Sequence, residues 1–234
     1  MIAPWLGIGL VFALLGLAVS VLRLYQRRCL PPPERVRKLF HVIAGGVGLT
    51  LPWLFRTVWP VALLGGVLLL GLLVLRWSGG LRRGIGSMIH GVERRSLGDV
   101  CFLLGVCLVF VLAGNGGPRF AVPILTLTLA DPVAALVGLR YGRHRYCVGG
   151  ADKSIEGSAA FFVVALGCAA IPSGIAYGGL PSLPGVLVSA LTMTVVEALA
   201  PHGLDNLLIP IVGVMAFDGW SIGGPTWPAL DLLD

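Results

Sequence analysis

The sequence predicts an all-α fold, a polytopic integral membrane bundle of seven or eight transmembrane helices in which residues 1–234 form a single membrane-embedded domain. Three observations predict it. The chain is 56% hydrophobic and only 12% charged, with mean hydropathy +0.92, and a soluble domain carries about twice that charge fraction. Apolar runs close to the length that a hydrocarbon core of about 30 Å demands of a helix recur from end to end. Fifteen of the 17 Lys and Arg residues fall in three alternate connections between those runs.

The apolar runs give candidate spans at 3–22, 39–55, 58–75, 97–113, 118–138, 156–172, 184–200 and 204–220. The second, fourth and last are short, which keeps seven spans open beside eight. The first connection carries Arg23, Arg27, Arg28, Arg35, Arg37 and Lys38. The third carries Arg76, Arg82, Arg83, Arg94 and Arg95, and the fifth Arg140, Arg143, Arg145 and Lys153. The second and fourth hold only Arg56 and Arg119, and the sixth and seventh hold none. Cytoplasmic loops are enriched in Lys and Arg, so the odd connections read as cytoplasmic and both termini as exterior. The same rule accounts for the net charge of +6 and pI near 9.4 without a nucleic-acid partner.

No Lys or Arg precedes Arg23, and no small-residue cleavage site follows the first apolar run, so residues 3–22 read as a retained span. Pro31-Pro32-Pro33 reads as a stiff spacer before the second. Residues 77–96 read as an interfacial helix with Ile85, Met88 and Ile89 toward lipid. The stretch Pro172 to Pro184 reads as an exterior turn. Trp53, Trp59, Trp77, Trp220 and Trp227 fall near span ends, as an aromatic belt requires. Gly45, Gly46, Gly65, Gly66 and Gly105 read as positions of close helix packing. The five cysteines form no C-x-x-C pair and read as inert thiols.

Four patches carry chemistry, and the topology puts all of them on the cytoplasmic side. Arg37, Lys38 and His41 open the second span; Arg37 and His41 share a helix face. His41 lies within an apolar run, where ionisable groups are uncommon. Asp131-Pro132 follows ten residues that are apolar or Thr. A carboxylate at that depth faces a cavity, a partner or a metal, and Pro132 removes a backbone donor beside it. The stretch Gly138 to Arg145, then Lys153, Ser154, Glu156 and Gly157, combines glycines, cations and a helix N-terminus. That is the chemistry of a phosphate site, although the Walker spacing is absent. Glu197 sits in an apolar helix, with Asp205 and Asn206 opening the next. Asp131, Glu156, Glu197, Asp205 and Asn206 together offer the oxygen ligands that Mg²⁺ takes. Helix caps and turns are the plainer readings of Glu156 and of Asp205-Asn206; Asp99 reads as an N-terminal acid. Cations, glycines and carboxylates at a membrane face suit phosphoryl or nucleotidyl transfer.

The strings R-K-L-F-H at 37–41, D-P-x-A-A-L-V-G-x-x-Y-G from 131, K-S-I-E-G-S-x-A-x-F from 153 and E-x-x-x-x-x-G-x-D-N from 197 resemble the polyprenol kinase family. That family includes dolichol, phytol and farnesol kinases and a CTP-dependent diacylglycerol kinase, and is related to the phosphatidate cytidylyltransferases. R-R-S-L-G-D at 94–99 resembles phytol-kinase-like members. The likeness runs from Arg37 to Pro210, and its specific part is the block from Asp131 to Ser158.

The resemblance implies a membrane kinase that moves the γ-phosphate of CTP to a lipid alcohol with Mg²⁺. Asp131, Gly138, Gly142, Lys153, Glu156, Gly157, Asp205 and Asn206 match the family's nucleotide and metal motifs. Lys153, Arg143 and Arg145 are then expected at the nucleotide phosphates, and Arg37, Lys38 and His41 on the acceptor side or at phosphate. One carboxylate or His41 would take the hydroxyl proton. The short chain favours a small prenol such as phytol, geranylgeraniol or farnesol as acceptor. The acidic signature of the cytidylyltransferases is not evident, which argues against nucleotidyl transfer. A transporter is the reading from another class; no inverted repeat supports it.

Overall fold

A computed structural model describes residues 3–77, 97–114, 117–179 and 182–220, with side chains to Phe217 in the last segment. The interfacial helix expected at 77–96, apart from Trp77, and the expected belt residue Trp227 lie outside the described residues.

The described chain is helical apart from one hairpin. Helix α1 runs Pro4–Cys29, α2 Pro33–Leu49, α3 Leu51–Leu54, α4 Val58–Trp77 and α5 Gly98–Ala113. Helix α6 (Pro118–Leu125) passes through one wide π-helical turn, Thr126–Ala130, into α7 (Asp131–Tyr141). Strands β1 (Arg145–Val148) and β2 (Ala151–Ser154) follow, then α8 (Ile155–Tyr177), α9 (Leu183–Leu199) and α10 (Asp205–Trp220). Four stretches are long and apolar enough to cross a membrane: Pro4–Cys29, Val58–Trp77, Pro118–Tyr141 and Ile155–Tyr177. Gly98–Ala113, Leu183–Leu199 and Asp205–Phe217 are apolar but shorter.

Local chemistry explains the boundaries. The proline spacer is shorter than the sequence suggests. Leu30 turns the chain with φ 44°, Pro32 is extended, and Pro33 already opens α2, because proline's fixed φ and missing N–H suit a first helical position. The hairpin was not expected. Gly149 and Gly150 both have positive φ, 53° and 85°, which is what a two-residue type I′ turn needs. The turn pairs Tyr146 with Lys153 and Arg145 with Ser154.

Among the described residues, two large apolar clusters hold the bundle together, with a small third where Leu22 of α1 meets Val36 of α2. One joins α1, α3, α4 and α5 through Val11, Leu51, Val61, Val109 and Phe110. The other joins α6, α8, α9 and α10 through Val122, Phe161, Ala165, Ala190 and Ile209. The Pro118–Tyr141 stretch lies between them: 61% of its apolar window is buried, against 22–28% in the other three long spans. Of the small residues expected at close contacts, Gly45, Gly65 and Gly105 are at such contacts. A Cβ there would lie 2.1 Å from Thr128, 2.8 Å from Cys107 and 2.6 Å from the Asn206 carbonyl oxygen, respectively. Gly46 and Gly66 face open space instead. The outer surface is apolar, with Leu70, Ile175 and Met215 exposed. Trp53, Trp59 and Trp77 are exposed at helix ends.

Candidate active site

The start of α2 meets the α6–α7 stretch. Lys38 Nζ donates to Asp131 Oδ2 at 2.7 Å, with both side chains about nine-tenths buried. Pro132 does not break the helix as a proline there could; the wide turn before it absorbs the strain. In that register the Leu127 carbonyl faces the nitrogen of Pro132, which carries no hydrogen. His41 Nε2 supplies the missing donor, 2.9 Å from Leu127 O. A carbonyl only accepts, so Nε2 carries a proton. The same nitrogen stands 3.9 Å from Asp131 Oδ2. Gly45 makes this approach possible, since any side chain there would strike Thr128.

The hairpin, α8, α9 and α10 build the opposite wall. Lys153 Nζ donates to Glu197 Oε1 at 2.8 Å and to the Glu197 carbonyl, and lies 3.6 Å from Asp205 Oδ2. Ser158 Oγ donates to Glu197 Oε2 at 3.0 Å and contacts the Tyr146 hydroxyl at 2.8 Å. Burial alone would depress the Lys153 pKa; the charge and hydrogen bond of Glu197, with Asp205 behind, outweigh it and raise the pKa above its ordinary value. Lys153 is therefore a cation throughout the neutral range. Ser154 caps α8, accepting from Gly157 N at 3.1 Å.

Both walls face one cavity of about 530 Å³. Among the described residues, six carboxylates line it (Glu34, Asp99, Asp131, Asp152, Glu197 and Asp205), along with four cations: Arg37, Lys38, Arg145 and Lys153. A second cavity, apolar and about 150 Å³, adjoins it. Arg37, Lys38, Asp99 and Asn206 line both.

Most of the residues expected at the site meet here. Arg37, Lys38, Asp131, Gly138, Arg145, Lys153, Ser154, Gly157, Glu197, Asp205 and Asn206 line the polar cavity. His41 lines the apolar one. Gly142, Arg143 and Glu156 are not on the polar lining. Glu156 turns to the hairpin, where its carboxylate accepts from His144 N at 3.2 Å and His144 Nδ1 at 2.8 Å. The glycines have a packing use: a Cβ at 138, 142 or 157 would come within 3.1 Å of Ser154. Sequence reasoning passed over Glu34 and Asp152. Arg37 explains Glu34, since the two pair at 2.6 Å and their i, i+3 spacing was visible. Asp152 precedes Lys153 in β2, and its place on the wall depends on a hairpin the sequence did not reveal.

Among the described residues no three His, Cys, Asp or Glu side chains converge as a metal site. Asn206 Oδ1, however, is buried without a hydrogen-bond partner, while its Nδ2 donates to Gly98 O at 3.0 Å. An orphaned amide oxygen beside carboxylates suits a hard cation that also takes ligands from substrate phosphates and water.

No family model and no solved structure matches the chain. A curated protein named phytol kinase, from Synechocystis sp., is 34% identical over 213 residues, covering 88% of this chain and 88% of that protein. Identity at that level over nearly the whole of both chains goes beyond the motif strings alone: the chain belongs to the polyprenol kinase family.

Proposed function

We propose that the chain is a CTP-dependent prenol kinase, transferring the γ-phosphate of CTP to the hydroxyl of a membrane isoprenoid alcohol of the phytol, geranylgeraniol or farnesol type. The name of the Synechocystis relative supports the reaction class. The observation that carries the reading is the polar cavity, into which four separate parts of the chain bring two buried ion pairs, Lys38–Asp131 and Lys153–Glu197. Phosphoryl transfer asks little covalent chemistry of a protein; it asks for position and charge neutralisation. Lys153 and Arg145 neutralise the nucleotide phosphates, with Lys38 and Arg37 opposite. The choice of CTP rests on family resemblance.

Mg²⁺ fits the donor set. Asp205 and the unpaired Oδ1 of Asn206 would hold it together with substrate phosphates and water, since Lys38 and Lys153 engage the Asp131 and Glu197 carboxylates, and it would supply charge neutralisation at the phosphates. Glu156 is left out of that set because its carboxylate clamps His144. In the transfer, the alcohol oxygen bonds to the γ-phosphorus, the bond to the β–γ bridging oxygen breaks, and CDP leaves. The hydroxyl proton goes to one of the carboxylates of the polar cavity or to His41, which lines the apolar one.

The bundle is read as one membrane domain of eight spans: the four long apolar stretches, the three shorter ones, and α2 with α3. Both termini are then exterior and the polar cavity cytoplasmic.

The test is incubation of the purified protein with γ-labelled CTP, Mg²⁺ and a panel of prenols and diacylglycerol. Label on a prenol with release of CDP is expected. Pyrophosphate release would mean nucleotidyl transfer, and label on diacylglycerol alone would move the acceptor class. Asp131→Asn and Lys153→Ala should each remove transfer while the protein still inserts and purifies. Unchanged turnover in either would take that residue out of the mechanism.

A further inference from the structure

The apolar cavity has a polar end and a carbon-lined depth. Its polar end is the lining that it shares with the larger cavity, with His41 beside it. Its depth reaches Leu51, thirteen positions beyond Lys38, or about 20 Å along a helical path. Val61, Leu64 and Val106 in the depth are buried, whereas Leu15, Leu68 and Leu72 are half-buried along one side. The space therefore suits a molecule with one terminal polar group and a long hydrocarbon body. Its head would lie where the cations of the phosphate cavity begin. A flat lipid surface or a second protein copy has no such shape.

We propose that this cavity takes the hydrocarbon tail of the acceptor alcohol, and that Gly65 sets which tail lengths fit. The hydroxyl's fate rests on the kinase reading above; the tail's place does not. Gly65 lines the cavity where α4 meets α5, and a Cβ there would lie 2.8 Å from Cys107 Sγ. Any larger side chain must push Cys107 aside or fill the space that the tail needs. Leu68, one turn closer to the polar end, controls the width instead. Apolar pockets discriminate by methylene groups at about tenfold or more each, so these two positions are specificity-determining residues.

The test uses the full chain in vesicles, with geraniol, farnesol, geranylgeraniol and phytol as acceptors. Gly65→Leu should lower the ratio of geranylgeraniol to geraniol kcat/KM by about tenfold. Leu68→Ala should raise the same ratio, which guards against a Gly65 variant that merely misfolds. A second readout needs no turnover: a prenol with a photoreactive group at its tail should label α4 or α5 of the wild type and label Gly65→Leu less. A ratio unmoved in both variants, or label confined to helices outside α1, α2, α4 and α5, would overturn the tail channel. Labelling of α4 or α5 with no alcohol phosphorylated would support the channel and overturn the kinase reading instead.

Discussion

Lys38 and Asp131 are 93 positions apart and meet at 2.7 Å in a nearly dry setting. Such a pair has two possible uses, and they predict different behaviour. Breaking a buried pair from one side costs about 3–5 kcal/mol, whereas replacing both partners by apolar groups is often neutral. Asp131→Leu should therefore lower thermal stability sharply, and adding Lys38→Met should restore it. If the pair also handles phosphate, the double variant stays inactive despite its restored melting temperature; recovered turnover would make it a structural bridge only. Asn206 presents a second residue-level case, because its Oδ1 is buried and unpaired. Asn206→Leu should raise the Mg²⁺ concentration for half-maximal rate by about tenfold or more, and Asn206→Asp, which keeps an oxygen, should shift it less. An Mg²⁺ titration reads both; equal shifts would deny the oxygen a role. Asp131 and Glu197 were legible in the sequence because a carboxylate in an apolar run is costly without a purpose. Lys38 was legible as a site cation beside Arg37 and His41, but nothing in its neighbours reveals that its partner is Asp131.

The hairpin is the element that periodicity could not reveal. Its strands are four residues each, too short for alternation to rise above a basic loop, and only Gly149-Gly150 marked a turn. Glu156 depends on the same element: without the hairpin, a carboxylate beside Lys153 reads as a metal ligand, and with it the carboxylate accepts from His144. Glu156→Gln keeps the shape and weakens that clamp. The expected result is partial loss of transfer, an unchanged Mg²⁺ half-saturation, and faster tryptic cleavage at Arg143 and Arg145. A large rise in Mg²⁺ requirement with unchanged proteolysis would return Glu156 to the metal. The π-helical turn was half-legible: Pro132 announced a missing donor, but not that His41, 86 positions from Leu127, would supply it. The helices themselves followed from composition, although α2 starts earlier and α1 ends later than hydropathy indicates, because Arg27, Arg28 and Arg37 remain helical beyond the apolar runs.

Across the whole molecule, the charged helix ends and the ion pairs belong to the odd-numbered connections. Arg27 and Arg28 end α1 and Arg76 ends α4. One ion pair joins the starts of α2 and α7, and Lys153 of the hairpin joins the end of α9 to the start of α10. Away from these charges the helix surface is apolar, with Leu17, Leu70, Val163 and Ile175 all more than 60% exposed, an arrangement that hydrocarbon covers and water does not tolerate. If alternate connections lie on opposite faces, the β1 strand and the α3–α4 connection must be reached from opposite sides of the membrane. Cys147 is exposed in β1, and Arg56 is exposed between α3 and α4. Cys29 is the other exposed thiol among the described residues, and Cys101 and Cys168 are buried. In a Cys29→Ser background, a membrane-impermeant maleimide should therefore label Cys147 only in vesicles with the cytoplasmic face outward. Adding Cys147→Ser and Arg56→Cys should move the labelling to vesicles of the opposite orientation. Labelling of both sites from one face would put an even number of crossings between them, where the eight-span arrangement puts three (α4, α5 and the α6–α7 stretch), and would overturn that arrangement.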